Sequence, residues 1–165
     1  MEKSQWYLGA PNSVMLCVDR IGGEGRLGGR FYHAYARDGT PFGNMEEAIF
    51  RLEEFYDSLN FPHPTTNSRT FQEEKGRTEA RTERTKIMKD EELLSRHGDL
   101  GTFIVRVQHR QNSSWQGRIT WMDRNKTVYF RSIWEMIKLV ESALDTVSAQ
   151  EDGSGGPSWQ DESDT

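Results

Sequence analysis

The residues best suited to recognition chemistry lie in "RQNSSWQGRITW", residues 110–121, where arginines accompany two serines, two glutamines and two tryptophans. An arginine can bind a phosphate or a carboxylate through two parallel hydrogen bonds, and a tryptophan ring can stack on a base. The same stretch places a glycine in front of an alternating polar and apolar run, which is typical of a β-hairpin. The sequence therefore leaves two interpretations, a recognition loop or the turn of a hairpin.

Neither a catalytic site nor a metal site is indicated. Cys17 is the single cysteine, and it stands in the apolar run "VMLCV", where a buried thiol without a neighbouring base is inert. The glycine-rich stretch 21–29 lies between two predicted strands and lacks the lysine of a P-loop, which favours a hairpin loop over a nucleotide loop. The histidines show no metal-binding spacing: His33, His63, His97 and His109. We therefore predict a protein that is not an enzyme, with no catalytic residue, no cofactor and no metal.

The elements that position these side chains occur twice along the chain. Residues 42–56 align without a gap on residues 130–144, at a constant offset of 88. Asn44 and Ser132 each stand three residues before a glutamate, which is the spacing of a capping box. In that motif the cap side chain accepts from a backbone N–H group and the glutamate reaches back to the N–H group of the cap. Both stretches carry an apolar stripe at helical spacing, so each predicts one amphipathic helix.

The match continues upstream of the helices. Residues 28–33 align on 116–121 at the same offset, and 14–18 align on 103–107 at an offset of 89. Each half is predicted to form a strand, a turn, a strand, a short turn and a helix. The predicted fold class is α+β, with duplicated ββα units forming one four-stranded antiparallel sheet with helices on one face. A single unit has too little core to be stable, so the units complete each other's core or the protein forms a homodimer.

Composition sets the boundaries of these units. The linker residues 65–89 are polar with few apolar anchors, which predicts a flexible or weakly helical segment. A short helix is predicted near 90–97, capped by Asp90 and stopped by Gly98. The predicted organisation is a first unit at 5–64, a polar linker at 65–99, a second unit at 100–147 and a disordered acidic tail at 148–165.

Alternation along the predicted strands separates an apolar inner face from a basic outer face. Trp121 falls on the inner face, and His33 occupies the equivalent position in the first half as a core or rim residue. Trp115 falls in a turn, where it is either an exposed binding residue or folds back on to the hairpin, and Trp134 either covers the sheet edge or faces a partner. The candidate binding residues are the outward strand positions and the hairpin tip: Arg30, Tyr32, Arg106, Gln108, Arg110, Gln111, Asn112, Trp115 and Arg118.

Charge is distributed unevenly along the chain. The formal net charge is −5, yet residues 100–146 carry seven Lys and Arg against four Asp and Glu, and residues 147–165 carry five acids and no base. The first residues lack the apolar run of a signal peptide, and no window is apolar enough to span a membrane. A single cysteine fits a reducing compartment, so we expect a cytoplasmic protein that does not bind a membrane.

The stretch "FIVRVQHRQNSSWQGRITW…YFRSIWEMIKLVESAL" resembles a family of short, functionally uncharacterised bacterial proteins from clostridial and related Gram-positive genomes. The shared pattern is a strand, "W-x-G", a second strand, and "F-R-S" at the start of a helix. The resemblance implies a bacterial cytoplasmic origin and transfers no activity. We predict a non-enzymatic interaction module, an adaptor or regulator, that binds a protein partner through the open sheet face and the hairpin tips. The alternative is a nucleic-acid-binding regulator that uses the basic second unit.

Overall fold

A computed structural model describes residues 8, 10–64, 71 and 83–151, with side chains up to residue 147. Its centre is an antiparallel sheet of six strands, accompanied by three α-helices and two short 3-10 turns in the described residues, so the predicted α+β class is confirmed. The elements are β1 (Val14–Ile21), β2 (Leu27–Tyr32), β3 (Thr40–Phe42), α1 (Met45–Leu59), α2 (Asp90–Leu94), β4 (Gly101–His109), β5 (Gln116–Trp121), β6 (Lys126–Phe130) and α3 (Ile133–Glu151). The 3-10 turns are Gly23–Gly25 and Met122–Arg124.

The strand order is β3-β2-β1-β4-β5-β6, so the sheet has two more strands than the four that were predicted. The two strands that were not predicted, β3 and β6, lie at the two edges of the sheet and lead directly into α1 and α3. β3 has three residues and contains Pro41, which the sheet tolerates because one side of an edge strand needs no hydrogen-bond donor. The alternation in "KTVYF" was the sequence signal for β6.

The main core lies between the sheet and the two long helices. Leu16 of β1 pairs with Phe31 and Phe103 on its two neighbouring strands, and all three side chains are buried. Because directly paired residues point to the same face, these pairs define the inner face that the strand alternation predicted. Trp121 pairs with Phe103 and is buried on this face, as expected. The buried side chains that α1 and α3 contribute include Leu52, Tyr56, Met136 and Val140.

The outer face of the sheet is open over only part of its area, contrary to the prediction. The segment after α2, residues 96–100, packs against part of the first half of this face. The guanidinium of Arg96 lies 5.1 Å from the ring centroid of Tyr32, and the backbone N–H group of Leu100 donates to the carbonyl oxygen of Val18 at 2.9 Å. A β-carbon on Gly98 would overlap the backbone of Val18 and Gly101, so glycine permits this close approach. The five residues Val14–Val18 are consequently buried on both faces of the sheet.

Part of the predicted flexible linker is therefore packed structure. Met88 is buried, and the backbone N–H groups of Ile87 and Met88 donate to the carbonyl oxygen of Ala34 at 2.6 and 2.9 Å. The short helix is present, but its N-cap is Lys89 with no side-chain hydrogen bond, so Asp90 does not cap it. Residues 65–70 and 72–82 of the linker lie outside the described residues.

The N-termini of the two long helices have the predicted caps with one difference. Asn44 Oδ1 accepts from the N–H group of Glu47 at 2.8 Å, and Ser132 Oγ accepts from that of Glu135 at 3.1 Å. Each glutamate accepts from the residue before the cap, Gly43 or Arg131, instead of from the cap itself. α3 continues to Glu151, beyond the predicted end of the unit at residue 147, and the rest of the predicted tail, 152–165, lies outside the described residues.

The two halves of the sheet have matching register. Met15 pairs with Ile104, and these two residues are 89 positions apart, which is the offset between the first strands of the two halves. The hairpin of β1 and β2 shifts register after Val18, and that of β4 and β5 shifts register after Val107. Two further equivalent pairs join the second and third strands of each half: Gly29 with Phe42, and Gly117 with Phe130.

Gly29 and Gly117 provide a test of this shared register. A β-carbon at Gly29 would overlap the carbonyl oxygen of Cys17, and one at Gly117 would overlap that of Arg106. We expect Gly29→Ala and Gly117→Ala each to lower the free energy of unfolding by about 1–3 kcal/mol in urea titrations, because the paired strands must separate. Gly23→Ala is the control, since no atom lies within 4 Å of its added β-carbon. Equal stability of all three variants would show that the strand pairing does not require glycine at positions 29 and 117.

None of the helices in the described part of the chain is long and apolar enough to cross a membrane.

Candidate binding surface

The second half of the sheet keeps an accessible row of side chains on its outer face. Arg106 of β4 pairs directly with Arg118 of β5, which pairs with Tyr129 of β6. Paired residues share a face, so the three side chains lie side by side, and we call them the basic row. In the adjoining row the hydroxyl oxygens of Thr120 and Thr127 are 2.9 Å apart and hydrogen-bonded. The surface is therefore cationic with a polar border.

The two arginines of the basic row have different environments. Arg118 Nη2 donates to the Tyr129 hydroxyl at 2.6 Å, and its guanidinium carbon lies 4.4 Å from the ring centroid. Tyr129 is 40% exposed. Arg106 is half-buried and forms neither an ion pair nor a side-chain hydrogen bond with any residue that the structure describes. The row therefore holds two adjacent positive charges, and no carboxylate there neutralises Arg106.

The corresponding positions in the first half form a different surface. Cys17, Arg30 and Pro41 are paired in the same way across β1, β2 and β3. Cys17 is buried, and burial raises the pKa of its thiol to about 12, so the thiol stays protonated as the sequence predicted. Arg30 is exposed, whereas Tyr32 is half-buried beneath the segment that carries α2. The structure therefore does not join these two candidates to the basic row in one continuous patch.

Arg110, a second candidate, is a buried structural residue. Its side chain is 3% exposed, and its Nη1 atom donates to Glu53 Oε1 at 3.1 Å and to Asp57 Oδ1 at 2.8 Å. Its Nε atom donates to the carbonyl oxygen of Pro62 at 2.6 Å. Arg110 follows β4, whereas the three acceptors belong to α1 and the loop after it. This contact fastens the two halves together, so the guanidinium is not available on the surface.

Trp115 completes the same contact. The ring is 1% exposed, its Nε1–H group donates to Glu53 Oε2, and its edge packs on the ring of Tyr56 at a centroid distance of 5.3 Å. The interpretation of an exposed turn tryptophan is therefore wrong, and the ring packs against α1 of the first half rather than folding back on to its own hairpin. Trp134, in contrast, is 65% exposed, so most of its ring is accessible to a partner.

The remaining candidates belong to the β4–β5 hairpin. Gln108 is half-buried at the register shift, and Gln111 and Asn112 are exposed in the turn. The backbone N–H group of Gln111 donates to Gln116 Oε1 at 3.0 Å, and Gln116 Nε2 donates back to the Gln111 carbonyl oxygen at 3.1 Å. Asn112 adopts a left-handed conformation with φ 55°, which asparagine tolerates better than most residues. These residues shape the turn, which favours the hairpin interpretation of the stretch.

Tyr129 was not among the candidates from the sequence. It was missed because residues 126–130 were assigned to a turn, although alternation in "KTVYF" places Thr127 and Tyr129 on one face. Within the described ranges, no group of three or more His, Cys, Asp or Glu side chains could hold a metal ion.

Comparison of the chain with family models, curated proteins and solved structures finds no match in any of the three. The resemblance to the clostridial family stays a prediction, and function is inferred from the side chains of this chain alone.

Proposed function

We propose that this protein is a non-enzymatic interaction module, an adaptor or regulator, that binds an acidic segment of a protein partner through the basic row. The observation that carries the proposal is the direct cross-strand pairing of Arg106 with Arg118. Like charges directly opposite each other on a sheet face destabilise the fold. A ligand that supplies carboxylates would remove this repulsion and gain charge-assisted hydrogen bonds in its place.

The composition of the basic row favours a protein partner. Arginine and tyrosine are the residues that most often dominate the binding energy of protein interfaces, and both are present here. A nucleic-acid surface of this kind uses several phosphate contacts and aromatic rings on which bases stack. The row has two guanidiniums, and its single aromatic ring, that of Tyr129, already packs against the guanidinium of Arg118. The nucleic-acid-binding regulator is kept as the alternative that the experiment below must separate.

The proposal includes a duplicated architecture in which each unit has three strands and a helix, β1β2β3α1 and β4β5β6α3. It is supported by the pairing of Met15 with Ile104 and by the equivalent register of Gly29–Phe42 and Gly117–Phe130. In this architecture residues 96–100 pack over part of the outer face of the first unit, and the second unit presents the binding surface. A cytoplasmic location is part of the proposal, because the chain has one cysteine and that thiol is buried.

Substitution of Arg106 by Gln is the test. We expect Arg106→Gln to weaken binding of a fluorescein-labelled polyglutamate peptide by at least about tenfold at low salt, measured by anisotropy, because a charge-assisted contact is lost. We expect the same variant to raise the free energy of unfolding by about 0.2–1 kcal/mol, because the like-charge pair is gone. The gain in stability shows that the variant is folded, because a misfolded variant would lose peptide binding without any rise in the free energy of unfolding.

Arg30→Gln is the matched control, since Arg30 lies in the first half at the position equivalent to Arg118 and is exposed. It should change neither binding nor stability. Unchanged peptide binding in Arg106→Gln would overturn the proposal. Tighter binding of single-stranded RNA or DNA than of the peptide, with affinity falling steeply as salt rises, would replace it with the nucleic-acid alternative.

A further inference from the structure

A second site lies on the inner side of the first half, away from the basic row. Here β2, α1 and the segment that carries Arg84 line an open cleft of about 300 Å³. Its lining includes apolar walls and polar groups: Phe31, Phe55, His33, Glu54, Ser58 and Arg84. It shares no residue with the basic row, so the two sites can be tested independently.

His33 is the buried polar group of this cleft. Its side chain is 8% exposed, and its ring stacks on that of Phe55 with centroids 4.1 Å apart. The Nδ1 atom accepts from the backbone N–H group of Tyr35 at 3.2 Å, so in the neutral ring the proton is on Nε2. No acceptor for this Nε2–H group lies among the residues that the structure describes. His33 therefore offers a hydrogen-bond donor in a largely enclosed position.

Arg84 supplies the charge beside it. Its Nη1 atom donates to Ser58 Oγ at 3.1 Å, and its guanidinium carbon lies 5.3 Å from the ring centroid of Tyr35. Within the described ranges, no carboxylate forms an ion pair with it. These contacts fix the guanidinium at the wall of the cleft while leaving its charge uncompensated. An anion in the cleft would meet this guanidinium together with the donor of His33.

We propose that this cleft binds a small monocarboxylate with a flat apolar body. The carboxylate would accept from Arg84 and His33, and the body would cover the small exposed areas of Phe31 and Phe55. The volume is at the lower end of the range for small-molecule sites, so a ligand of about one ring fits. Glu54 and Arg51 line the same cleft, and Arg51 is paired with Glu47, so a single carboxylate suits the cleft better than a dianion such as a phosphate monoester.

The probe for this proposal is benzoate, with benzamide as its neutral analogue of the same shape. We expect benzoate to bind the full chain with a Kd of about 1–10 mM, measured by NMR titration. Benzamide should bind at least about tenfold more weakly, since it lacks the charge that Arg84 recognises. Benzoate should also raise the pKa of His33 in an NMR pH titration, because a nearby negative charge favours the protonated ring.

Arg84→Gln should lose benzoate affinity by at least about tenfold, whereas Arg37→Gln, an exposed arginine outside the cleft, should keep it. The thermal melts of both variants report whether they fold. Equal affinity for benzoate and benzamide, retained affinity in folded Arg84→Gln, or no binding of benzoate at about 50 mM would each overturn the proposal. None of these results bears on polyglutamate binding by the basic row.

Discussion

The double substitution Glu53→Gln and Asp57→Asn is expected to lower the free energy of unfolding by about 3–5 kcal/mol. Arg110 is 3% exposed, whereas Glu53 and Asp57 are 40% and 41% exposed. Removing the carboxylates therefore leaves a positive charge that water reaches poorly, although its Nε atom still donates to the Pro62 carbonyl oxygen. Both replacements keep the shape and one acceptor oxygen, so the loss reports the missing charge together with one of the two hydrogen bonds that Glu53 accepts from Arg110 and Trp115.

Removal of the cation should cost less than removal of the anions. In Arg110→Met the two carboxylates remain, and water can solvate them because they are partly exposed. We expect a loss of about 1–2 kcal/mol, from the hydrogen bond to Pro62 and the contact with Tyr56. Glu46→Gln with Glu54→Gln is the matched control, since both lie exposed on the same helix and change the charge equally. Urea titrations at pH 7 measure all three, and a smaller loss for the acid pair than for Arg110→Met would contradict this account.

The second large effect is expected on acidification, through His33. Burial and the neighbouring Arg84 charge lower the pKa of His33 from 6.5 to about 4 in the folded protein. Between these values the unfolded chain binds a proton that the folded chain does not, so stability falls as the pH falls. Above pH 6.5 His33 is neutral in both states and causes no loss of stability. As the pH falls from 6.5 to about 4 the loss grows, and it reaches about 3 kcal/mol at pH 4.

A comparison of variants isolates this contribution from the carboxylates that also titrate. The difference in stability between wild type and His33→Gln should decrease with falling pH over this window, whatever the stability of the variant at pH 7. His97→Gln is the control for replacing a histidine, because His97 is exposed, and its difference from wild type is measured over the same pH window. A His33 ring that titrates near 6.5 by NMR would show that the packing against Phe55 does not exclude the charged form.

Several features of this protein were determined by local sequence. The caps at Asn44 and Ser132 form because a polar residue three positions before a glutamate satisfies backbone groups within a single turn. The inner placement of Phe31 and Trp121 follows from two-residue alternation, which is also local. β3 escaped prediction because it has three residues and one is proline, so pairing with β2 rather than propensity makes it a strand.

The binding surface, in contrast, was decided by contacts between residues far apart in the chain. Arg110 and Trp115 had the composition of a recognition loop, and they are buried because α1 brings Glu53 beside them from 57 and 62 positions away. Residues 96–100 pack over part of the outer face in the first half and leave the second half accessible. The apolar run of β1 is compatible with such a cover, but it does not say which segment supplies it. Periodicity assigns a side chain to a face of the sheet. Whether that face is exposed to water depends on which distant segment packs over it. Only the tertiary structure decides this.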